Sequence, residues 1–317
     1  MAEALRSRAK GGSFLRFSDF MQTALYDPRC GYYRRDAARV GRTPGTDFFT
    51  ASSSPLFGRL VAAACASLLG GRDPSGYAFV EIGAEPEGGI LRDVAHPFAS
   101  ARTVRLGDPM ELTGKAVVFS NELFDAQPFR RFRRRGAGWS EVGVRLDGDL
   151  LLESERDGPI ADGPPLPDDA PEGYVIDAPL EAAALARAVA AQPWEGLFLA
   201  FDYGKSWEEI AYGCPEGTAR AYRRHTQSND LLAAPGEQDL TCHVCWDWLR
   251  QALAGAGFAE PVVESQEAFF IHHSAALIEA LMTAGASSLS PEKRSLLQLL
   301  HPAHMGQKFQ ALWAVRS

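Results

Sequence analysis

The stretch that decides the fold is "AVVFSNELFDAQPF", residues 116–129, in which an apolar run stops abruptly at polar residues. The run Ala-Val-Val-Phe is typical of a buried strand, and Asn121, Glu122 and Asp125 follow it closely. In an open parallel sheet, the carboxyl ends of the strands form the ligand crevice. The stretch therefore predicts a buried strand whose end presents an amide and two carboxylates to a ligand. The local sequence equally allows Asn121 and Glu122 only to cap a following helix.

Other short apolar runs along the chain end in the same way, at Gly, Asp or Glu. They are "YAFVEIG" (77–83), "ARTVRLGD" (101–108) and "GLFLAFDYG" (196–204). Helical patterns alternate with them, as in "SPLFGRLVAAACASLLGG" (54–71) and "APLEAAALARAVAAQ" (178–192). Strands that alternate with helices predict an α/β layered fold.

The middle of the chain has a different pattern. The segment "GWSEVGVRLDGDLLLESERDG" (138–158) alternates and turns at "DGD", which predicts an antiparallel hairpin. A Pro-, Asp- and Gly-rich loop follows, so we expect an insertion at about residues 130–175. The predicted domains are a helical N-terminal region, 1–75, and an α/β core, 76–317.

Two late segments, "EAFFIHH" (267–273) and "KFQALWAVRS" (308–317), resemble strands. Between them, "SPEKRSLLQLLHP" (290–302) predicts a helix with Ser290 as its N-cap.

Composition excludes several classes of function. The chain has 317 residues, 46% of them hydrophobic, which is enough for a large core. A net charge of -8 excludes an overall basic footprint for nucleic acid. The arginine run at 130–135 is a local exception, for which a solvated strand face or internal salt bridges are the expected role.

Cysteine usage and the absence of a long apolar run indicate the compartment. Five scattered cysteines argue against a disulfide framework and fit a reducing environment. No apolar run is long enough to cross a bilayer, and the start has no signal-peptide core. We expect a cytoplasmic protein in a bacterium, or a mitochondrial matrix protein in a eukaryote.

The first strand predicts a cofactor site. In "FVEIGAEPEGGIL" (79–91), Glu81 and Gly83 precede a glycine-containing turn, where the missing Cβ lets a ligand approach closely. No GxGxxG is present, because Glu85 and Glu87 stand where glycines are expected. These two anions argue against a dinucleotide pyrophosphate.

Several long polar stretches resemble one known family. They are "FMQTALYDPRCGYY", "GTDFFTASSSPLFG", "FVEIGA", "VVFSNELFDAQPF", "FLAFDYG", "GTARAYRRHTQSNDLLAAPGEQDLTCHV" and "MGQKFQALWAV". With them the chain resembles the MidA-like family of S-adenosylmethionine-dependent methyltransferases, which includes a mitochondrial complex I assembly factor that methylates an arginine. The resemblance implies a Rossmann-like, seven-strand class I methyltransferase core with a helical N-terminal region and an inserted β-hairpin. It also implies S-adenosyl-L-methionine as cofactor and a protein substrate, such as a respiratory-complex subunit.

The resemblance also implies where the cofactor is bound. Asn121 and Glu122 would lie between cofactor and substrate. The other implied cofactor residues are Thr50, Ser54, Gly83 and Ala84. The first-strand pattern adds Glu81, and Asp108 either binds the ribose hydroxyls or belongs to the following strand. Two departures from the family stand out: the turn reads "GAEPEGG", and residues 90–116 are too few for the expected further strand and helix. That strand-and-helix unit is therefore either missing or compressed.

Carboxylates are the predicted catalytic groups. A guanidinium with a pKa of about 12.5–13.8 is charged, and carboxylates can bind it bidentately. Glu122, Asp125 and Asp202 are the candidates that would hold a cationic acceptor against the methyl group.

A second polar block is predicted to close over the substrate or to hold its own loop together. Its residues are Tyr222, Arg224, His225, Asp239 and His243, and buried support is the alternative role for the two histidines. Tyr32, Tyr33, Phe48 and Phe49 could form an aromatic wall or pack on helices.

No metal site is expected. The segment "CHVC" (242–245) lacks a second CxxC, so small packing residues are the preferred interpretation. His272 and His273 are assigned surface or packing roles.

Two functions remain open. The first is a methyltransferase that acts on protein arginine. The second is a family member that has lost the cofactor and serves as a protein-binding or complex-assembly factor, which the altered glycine turn favours.

Overall fold

A computed structural model of the protein describes residues 1–9, 14–35, 54–86, 88–156, 158, 160–283 and 290–317. In these ranges the α-helices are α1 (Ala2–Arg8), α2 (Phe17–Tyr26), α3 (Pro55–Leu68), α4 (Leu180–Ala190), α5 (Trp207–Gly213), α6 (Trp246–Gly255), α7 (Gln266–His273), α8 (Ala275–Thr283) and α9 (Pro291–Leu300). The strands are β1 (Phe14–Arg16), β2 (Ala78–Ile82), β3 (Ser100–Val104), β4 (Gly114–Asn121), β5 (Arg130–Arg135), β6 (Gly138–Asp147), β7 (Leu150–Arg156), β8 (Val175–Ala178), β9 (Trp194–Asp202), β10 (Gly204–Lys205), β11 (Arg220–Arg223), β12 (Thr226–Ser228), β13 (Asp239–Thr241), β14 (Val244–Cys245), β15 (Val262–Ser265) and β16 (Gln310–Arg316).

The chain forms two compact units, each built from three segments. Unit 1 contains Met1–Phe48, Phe124–Leu185 and Lys205–Trp248. Unit 2 contains Phe49–Leu123, Ala186–Gly204 and Leu249–Ser317. The predicted boundary at residues 75/76 and the predicted insertion at about 130–175 stay predictions.

Unit 2 contains a mixed sheet in the strand order β15-β16-β9-β4-β2-β3. Strands β3, β2, β4 and β9 are parallel, and β16 and β15 are antiparallel to their neighbours. Residues 116–120 of β4 are all buried, as expected for a strand with both faces covered. The α/β prediction and the strands at 77–83, 116–121 and 196–204 are confirmed.

The sheet holds six strands in the described part of the chain, one fewer than the resemblance implies. The reason is length: only residues 105–113 connect β3 to β4, and a crossover helix needs a dozen residues or more. Residues 88–99, between β2 and β3, likewise form turns and not a helix. The compressed region noted in the sequence is therefore a missing strand-and-helix unit.

Aromatic side chains form much of the core of unit 2. Phe57 on α3 meets Phe201 on β9 with ring centroids 5.5 Å apart, and Phe270 stacks on Phe201 at 5.4 Å. All three rings are fully buried. Burial of one such ring contributes about 2 kcal/mol, so these contacts fix α3 and α7 on the sheet.

Unit 1 contains a second, antiparallel sheet in the order β1-β6-β5-β8, with β7 beside β6. Strands β6 and β7 form the predicted hairpin, with Asp147 opposite Leu150 at its closed end. A smaller sheet, β12-β11-β13, belongs to the same unit. Phe17 on α2 stacks on Phe129 at 5.0 Å in its core.

The arginine run lies on β5 and is paired within unit 1. Arg133 contacts Glu153 at 2.6 Å and Glu155 at 2.8 Å, and Arg130 contacts Glu141 at 2.8 Å. The prediction of internal salt bridges is confirmed.

The segment "EAFFIHH" forms α7, so the predicted strand is wrong there. Ser265 is the N-cap, and its hydroxyl accepts a hydrogen bond from the Ala268 N–H. Glu267 lies in the first turn, where negative charge favours a helix. Capping thus outweighs the strand preference of the aromatic pair.

The other helix starts follow the prediction in part. Ser290 caps α9 by accepting from the Lys293 N–H, whereas Ser54 occupies the N-cap position of α3 without a side-chain capping bond. No helix of the described ranges is long and apolar enough to cross a membrane.

Candidate functional site

Glu122 lies at the carboxyl end of β4 with a backbone φ of 50°. This left-handed conformation costs a non-glycine residue about 1–2 kcal/mol, and such strain clusters at functional sites. The Glu122 N–H donates to the carbonyl of Phe201 at 2.9 Å, which holds the strained backbone against β9. No helix begins at residues 122–129, so the prediction that Asn121 and Glu122 only cap a helix is wrong.

The side chain of Glu122 is held from two sides. The Asn121 amide donates to Oε1 at 3.0 Å, and the Tyr203 hydroxyl donates to Oε2 at 3.3 Å. Asp202 Oδ1 accepts the Tyr203 N–H at 3.0 Å, and Asp202 itself is 0% exposed. Glu122 is half-buried and keeps some solvent access. Tyr203 connects the two carboxylates, since its hydroxyl binds Glu122 and its backbone N–H binds the buried Asp202.

Tyr203 was not among the predicted site residues. The "FDYG" motif (201–204) that contains it was recognised only for the acid. The signal that could have indicated Tyr203 was its position, an aromatic hydroxyl immediately after a carboxylate at the end of a strand.

Gly83 lies at the carboxyl end of β2, the strand next to β4. It is exposed and has a φ of 80°, and an added Cβ would lie 2.8 Å from Leu123 Cδ1. A glycine here keeps the backbone open to a ligand. Ala84, which follows, is buried.

The buried side chain of Glu81 binds the turn that follows Gly83. Its Oε2 accepts the Ile90 N–H at 2.7 Å, and a Cβ at Gly89 would come within 2.5 Å of the same oxygen. Burial, helped by the charge of Glu85, raises the pKa of Glu81 to about 7. In unit 2, then, the Glu81 carboxyl group binds the turn that follows Gly83.

We expect this pKa to make the stability of the protein depend on pH. Because the folded pKa of about 7 exceeds the ordinary 4.5, the unfolded chain loses its proton first as pH rises. The stabilisation present below pH 4.5 is therefore lost as the pH rises through 7. We expect the free energy of unfolding to fall by up to roughly 3 kcal/mol over this pH range.

Glu81→Gln should remove this loss, because the amide oxygen can still accept the Ile90 N–H. Urea unfolding followed by circular dichroism should show equal stabilities near pH 4 and a more stable variant near pH 8. A constant difference between the two proteins at every pH would contradict the assignment.

The remaining predicted cofactor residues of unit 2 differ in their surroundings. Asp108 is exposed beyond the end of β3, and its Oδ2 accepts the Arg105 N–H at 2.9 Å. Ser54 is half-buried at the start of α3. Thr50, Phe48, Phe49 and Glu87 lie outside the described residues.

Asp125 belongs to unit 1 and is 2% exposed. Its backbone carbonyl accepts the Cys242 N–H at 3.0 Å. Asp239, also buried, accepts the Tyr33 hydroxyl at 2.9 Å. Burial, with both carboxylates adding to it, holds the pKa of Tyr26 and of Tyr33 well above the ordinary value.

The tyrosines of this region pack on one another. The Tyr33 ring lies 5.5 Å from Tyr26 and 5.2 Å from Tyr32, centroid to centroid. Tyr32 is fully buried, which favours the packing role for it.

The first part of the polar block forms the hairpin of β11 and β12. Tyr222 donates to Gln227 Oε1 at 3.1 Å, and Arg224 and His225 occupy the turn with φ of 50° and 61°. His225 is exposed, so buried support is the wrong role for it.

His243 differs from His225. It is half-buried, and burial together with Lys205 and Arg220 lowers its pKa to about 4. Cys242 and Cys245 are buried, as expected for packing residues.

Three residues at the strand ends of unit 2, Asn121, Gly83 and Ala84, fit the cofactor that the resemblance implies. Asn121 Oδ1 is buried and has no hydrogen-bond partner among the described residues, so an acceptor is left for a ligand donor such as an ammonium group. Gly83, at the end of the adjacent strand, is exposed and places no side chain between its backbone and a ligand. Asn121, Gly83 and Ala84 would hold S-adenosylmethionine, which supplies a sulfonium methyl group.

Solved structures with the same fold exist. A Burkholderia thailandensis protein crystallised with S-adenosyl-homocysteine is 28% identical, with a TM-score of 0.85 over 99% of this chain and 91% of that one. A native crystal structure from the same organism is 26% identical, with a TM-score of 0.82 over the same shares. The class I methyltransferase-like fold is thereby confirmed.

Curated relatives match part of the chain. The mitochondrial protein arginine methyltransferase NDUFAF7 of Danio rerio is 29% identical over 208 residues, 62% of this chain and 46% of the relative. The Xenopus laevis protein of the same name is 26% identical over 62% of this chain and 45% of its own. The chain thus spans about half the length of the curated relatives it matches.

A family model described as "Putative S-adenosyl-L-methionine-dependent methyltransferase" matches residues 100–262. The match includes β4 with Asn121 and Glu122, β9 with Asp202, and the polar block at 218–245. Since it covers more than half of the chain, the protein belongs to this MidA-like family of S-adenosylmethionine-dependent methyltransferases.

Proposed function

We propose that the protein transfers a methyl group from S-adenosyl-L-methionine to a guanidinium nitrogen of an arginine in a protein substrate. The observation that carries the proposal is Glu122, a carboxylate kept in a strained conformation at the carboxyl edge of the unit 2 sheet. The names of the curated relatives support arginine as the acceptor.

The chemistry requires placement more than activation. A sulfonium methyl group is already electrophilic, and correct orientation of two reactants can lower a barrier by about 7–11 kcal/mol. Glu122 would bind the charged guanidinium, and Asn121 and Tyr203 would keep its carboxylate in one orientation. As the nitrogen–carbon bond forms, the sulfur–carbon bond breaks and the acceptor nitrogen gives up one proton to solvent.

The other predicted residues receive different roles in this proposal. Asp202, which is fully buried, would act by holding the Tyr203 backbone N–H and would not bind the substrate directly. Asp125 and Asp239 stay candidates for substrate recognition by unit 1, together with Tyr222, Arg224, His225 and His243. Asp108 and Ser54 stay candidate cofactor residues. The substrate would be a protein such as a respiratory-complex subunit, in the bacterial cytoplasm or the mitochondrial matrix.

A second candidate is a binding or assembly factor without methyl transfer. The altered turn favours it, because residues 88–99 form no helix whose N-terminus could meet the cofactor. Calorimetric titration with S-adenosyl-homocysteine separates the two functions. Binding supports the enzyme, and no heat or thermal shift at millimolar ligand supports the assembly factor.

Gly83→Ala makes this titration specific to the predicted site. The methyl group would meet Leu123, and we expect the affinity for S-adenosyl-homocysteine to fall at least about tenfold, or roughly 1.4 kcal/mol. Gly71→Ala is the matched control, since Gly71 has a φ of 83° and nothing within 4 Å of an added Cβ. Both variants carry a similar backbone strain, so equal affinities in the two would remove Gly83 from the cofactor site.

A further inference from the structure

Three side chains with metal-ligating atoms lie together in unit 2, away from Glu122 in sequence. Glu264 is on β15, and His272 and His273 end α7. Glu264 Oε1 lies 2.6 Å from His272 Nδ1, and Glu264 Oε2 lies 3.1 Å from His273 Nε2. The three ligand atoms all lie within 4.8 Å of one another.

Two of these ligands are fixed by neighbouring groups. The Trp313 indole N–H donates to Glu264 Oε2 at 2.9 Å. The His273 ring packs 5.0 Å from Phe269 and 5.3 Å from Trp313, centroid to centroid. A carboxylate oriented by a hydrogen bond and an imidazole oriented by packing are the outer contacts that protein metal sites use.

The third ligand, His272, is the one that is exposed to solvent. The side chain of His272 is 58% exposed, whereas those of Glu264 and His273 are 15% and 18% exposed. An ion that enters from the His272 side would thus keep coordination positions for water. It would replace the two carboxylate–imidazole hydrogen bonds with metal–ligand bonds.

We propose that Glu264, His272 and His273 bind one divalent transition-metal cation of the Zn²⁺ class. Two imidazoles and one carboxylate suit Zn²⁺, Co²⁺, Ni²⁺ or Cu²⁺ and do not suit Ca²⁺ or Mg²⁺, which take oxygen ligands. The cation links the edge strand β15 to the C-terminal end of α7. The site is separate from the proposed methyl transfer and does not depend on it.

The test uses the full chain, without a polyhistidine tag and after treatment with a chelator. Zn²⁺ is titrated by calorimetry, and Co²⁺ by its visible absorption. We expect one equivalent to bind with micromolar or tighter affinity and to raise the Tm. The double variant H272A/H273A should bind at least about 100-fold more weakly, and H301A, at an exposed histidine of unit 2, should bind as the natural chain does.

Two further measurements locate the ion. Bound Cu²⁺ should quench the fluorescence of Trp313, and Trp313→Phe should remove that part of the quenching and weaken binding by about 10-fold. Circular dichroism shows whether each variant is folded. One-to-one binding that survives in folded H272A/H273A, an absorption band of thiolate-bound Co²⁺, or no binding by the natural chain would each overturn the proposal.

Discussion

Glu122→Gln is expected to lower kcat/KM for arginine methylation about 100- to 1000-fold, with the affinity for S-adenosyl-homocysteine nearly unchanged. The substitution keeps the shape of the side chain and removes the charge that would bind the guanidinium. An amide can still meet the Tyr203 hydroxyl and the Asn121 amide, so the local structure should persist. Methylation of an arginine peptide, followed by mass spectrometry, measures the loss.

A second substitution at this position separates function from stability. Glu122→Gly would relieve the φ of 50° and should raise the free energy of unfolding by about 1 kcal/mol, although the carboxylate is lost. A protein that becomes more stable and less active would show that the strain is retained for function.

Glu195→Gln is the control for the loss of one carboxylate, since Glu195 is an exposed residue of β9. We expect its turnover and cofactor affinity to match those of the natural chain. If Glu122→Gln also keeps its turnover, Glu122 has no part in binding the acceptor, and the proposed function loses its central residue.

The strands of unit 2 could be predicted because buried parallel strands appear as continuous apolar runs. The polar ends of β2, β4 and β9 then meet at one edge of the sheet, whatever the connecting segments do. The shortage of residues for a further strand and helix was also visible, since residues 90–116 are too few to hold both. These conclusions depend on chain length and periodicity, which the sequence shows directly.

The conformation of Glu122 could not be predicted in this way. Nothing about a glutamate indicates a positive φ, and the bond from its N–H to Phe201 joins residues far apart in sequence. The degree of burial of each carboxylate could not be predicted from the sequence either. Asp202 and Glu122 both come at the end of an apolar run, yet the first is 0% exposed and the second is half-buried.

The error at α7 has a related cause. An aromatic pair followed by two histidines fits a strand, and the cap at Ser265 adds only a short-range signal. The position of Glu264 beside His272 then depends on the folded helix. A metal site of this kind therefore had no sequence spacing by which it could be recognised.

Glu141→Ala is expected to destabilise the protein by about 3–5 kcal/mol. Glu141 is 1% exposed and lies between three arginines: Arg156 at 2.6 Å, Arg130 at 2.8 Å and Arg16 at 3.5 Å. Arg130 is itself buried, so the variant would leave its positive charge without the carboxylate that balances it. Urea unfolding followed by circular dichroism gives the change in the free energy of unfolding.

Glu153→Ala is the matched control on the same sheet. Its side chain is 39% exposed and pairs with Arg133 at 2.6 Å, so its loss should cost at most about 1 kcal/mol. A similar, small cost for Glu141→Ala would mean that water reaches Arg130 and that the pair is not buried in solution.

A cycle of E141L, R130M and the double variant E141L/R130M tests whether the cost comes from the unbalanced charge or from lost packing. Removing both charges should destabilise less than removing Glu141 alone, because neither ion is then left without a partner in the interior. The recovery will be incomplete, since Arg130 also donates to the carbonyls of Ala161 at 3.0 Å and Asp162 at 2.9 Å. Strictly additive losses in this cycle would assign the role of Glu141 to packing, and the arginine run would then be incidental to the stability of unit 1.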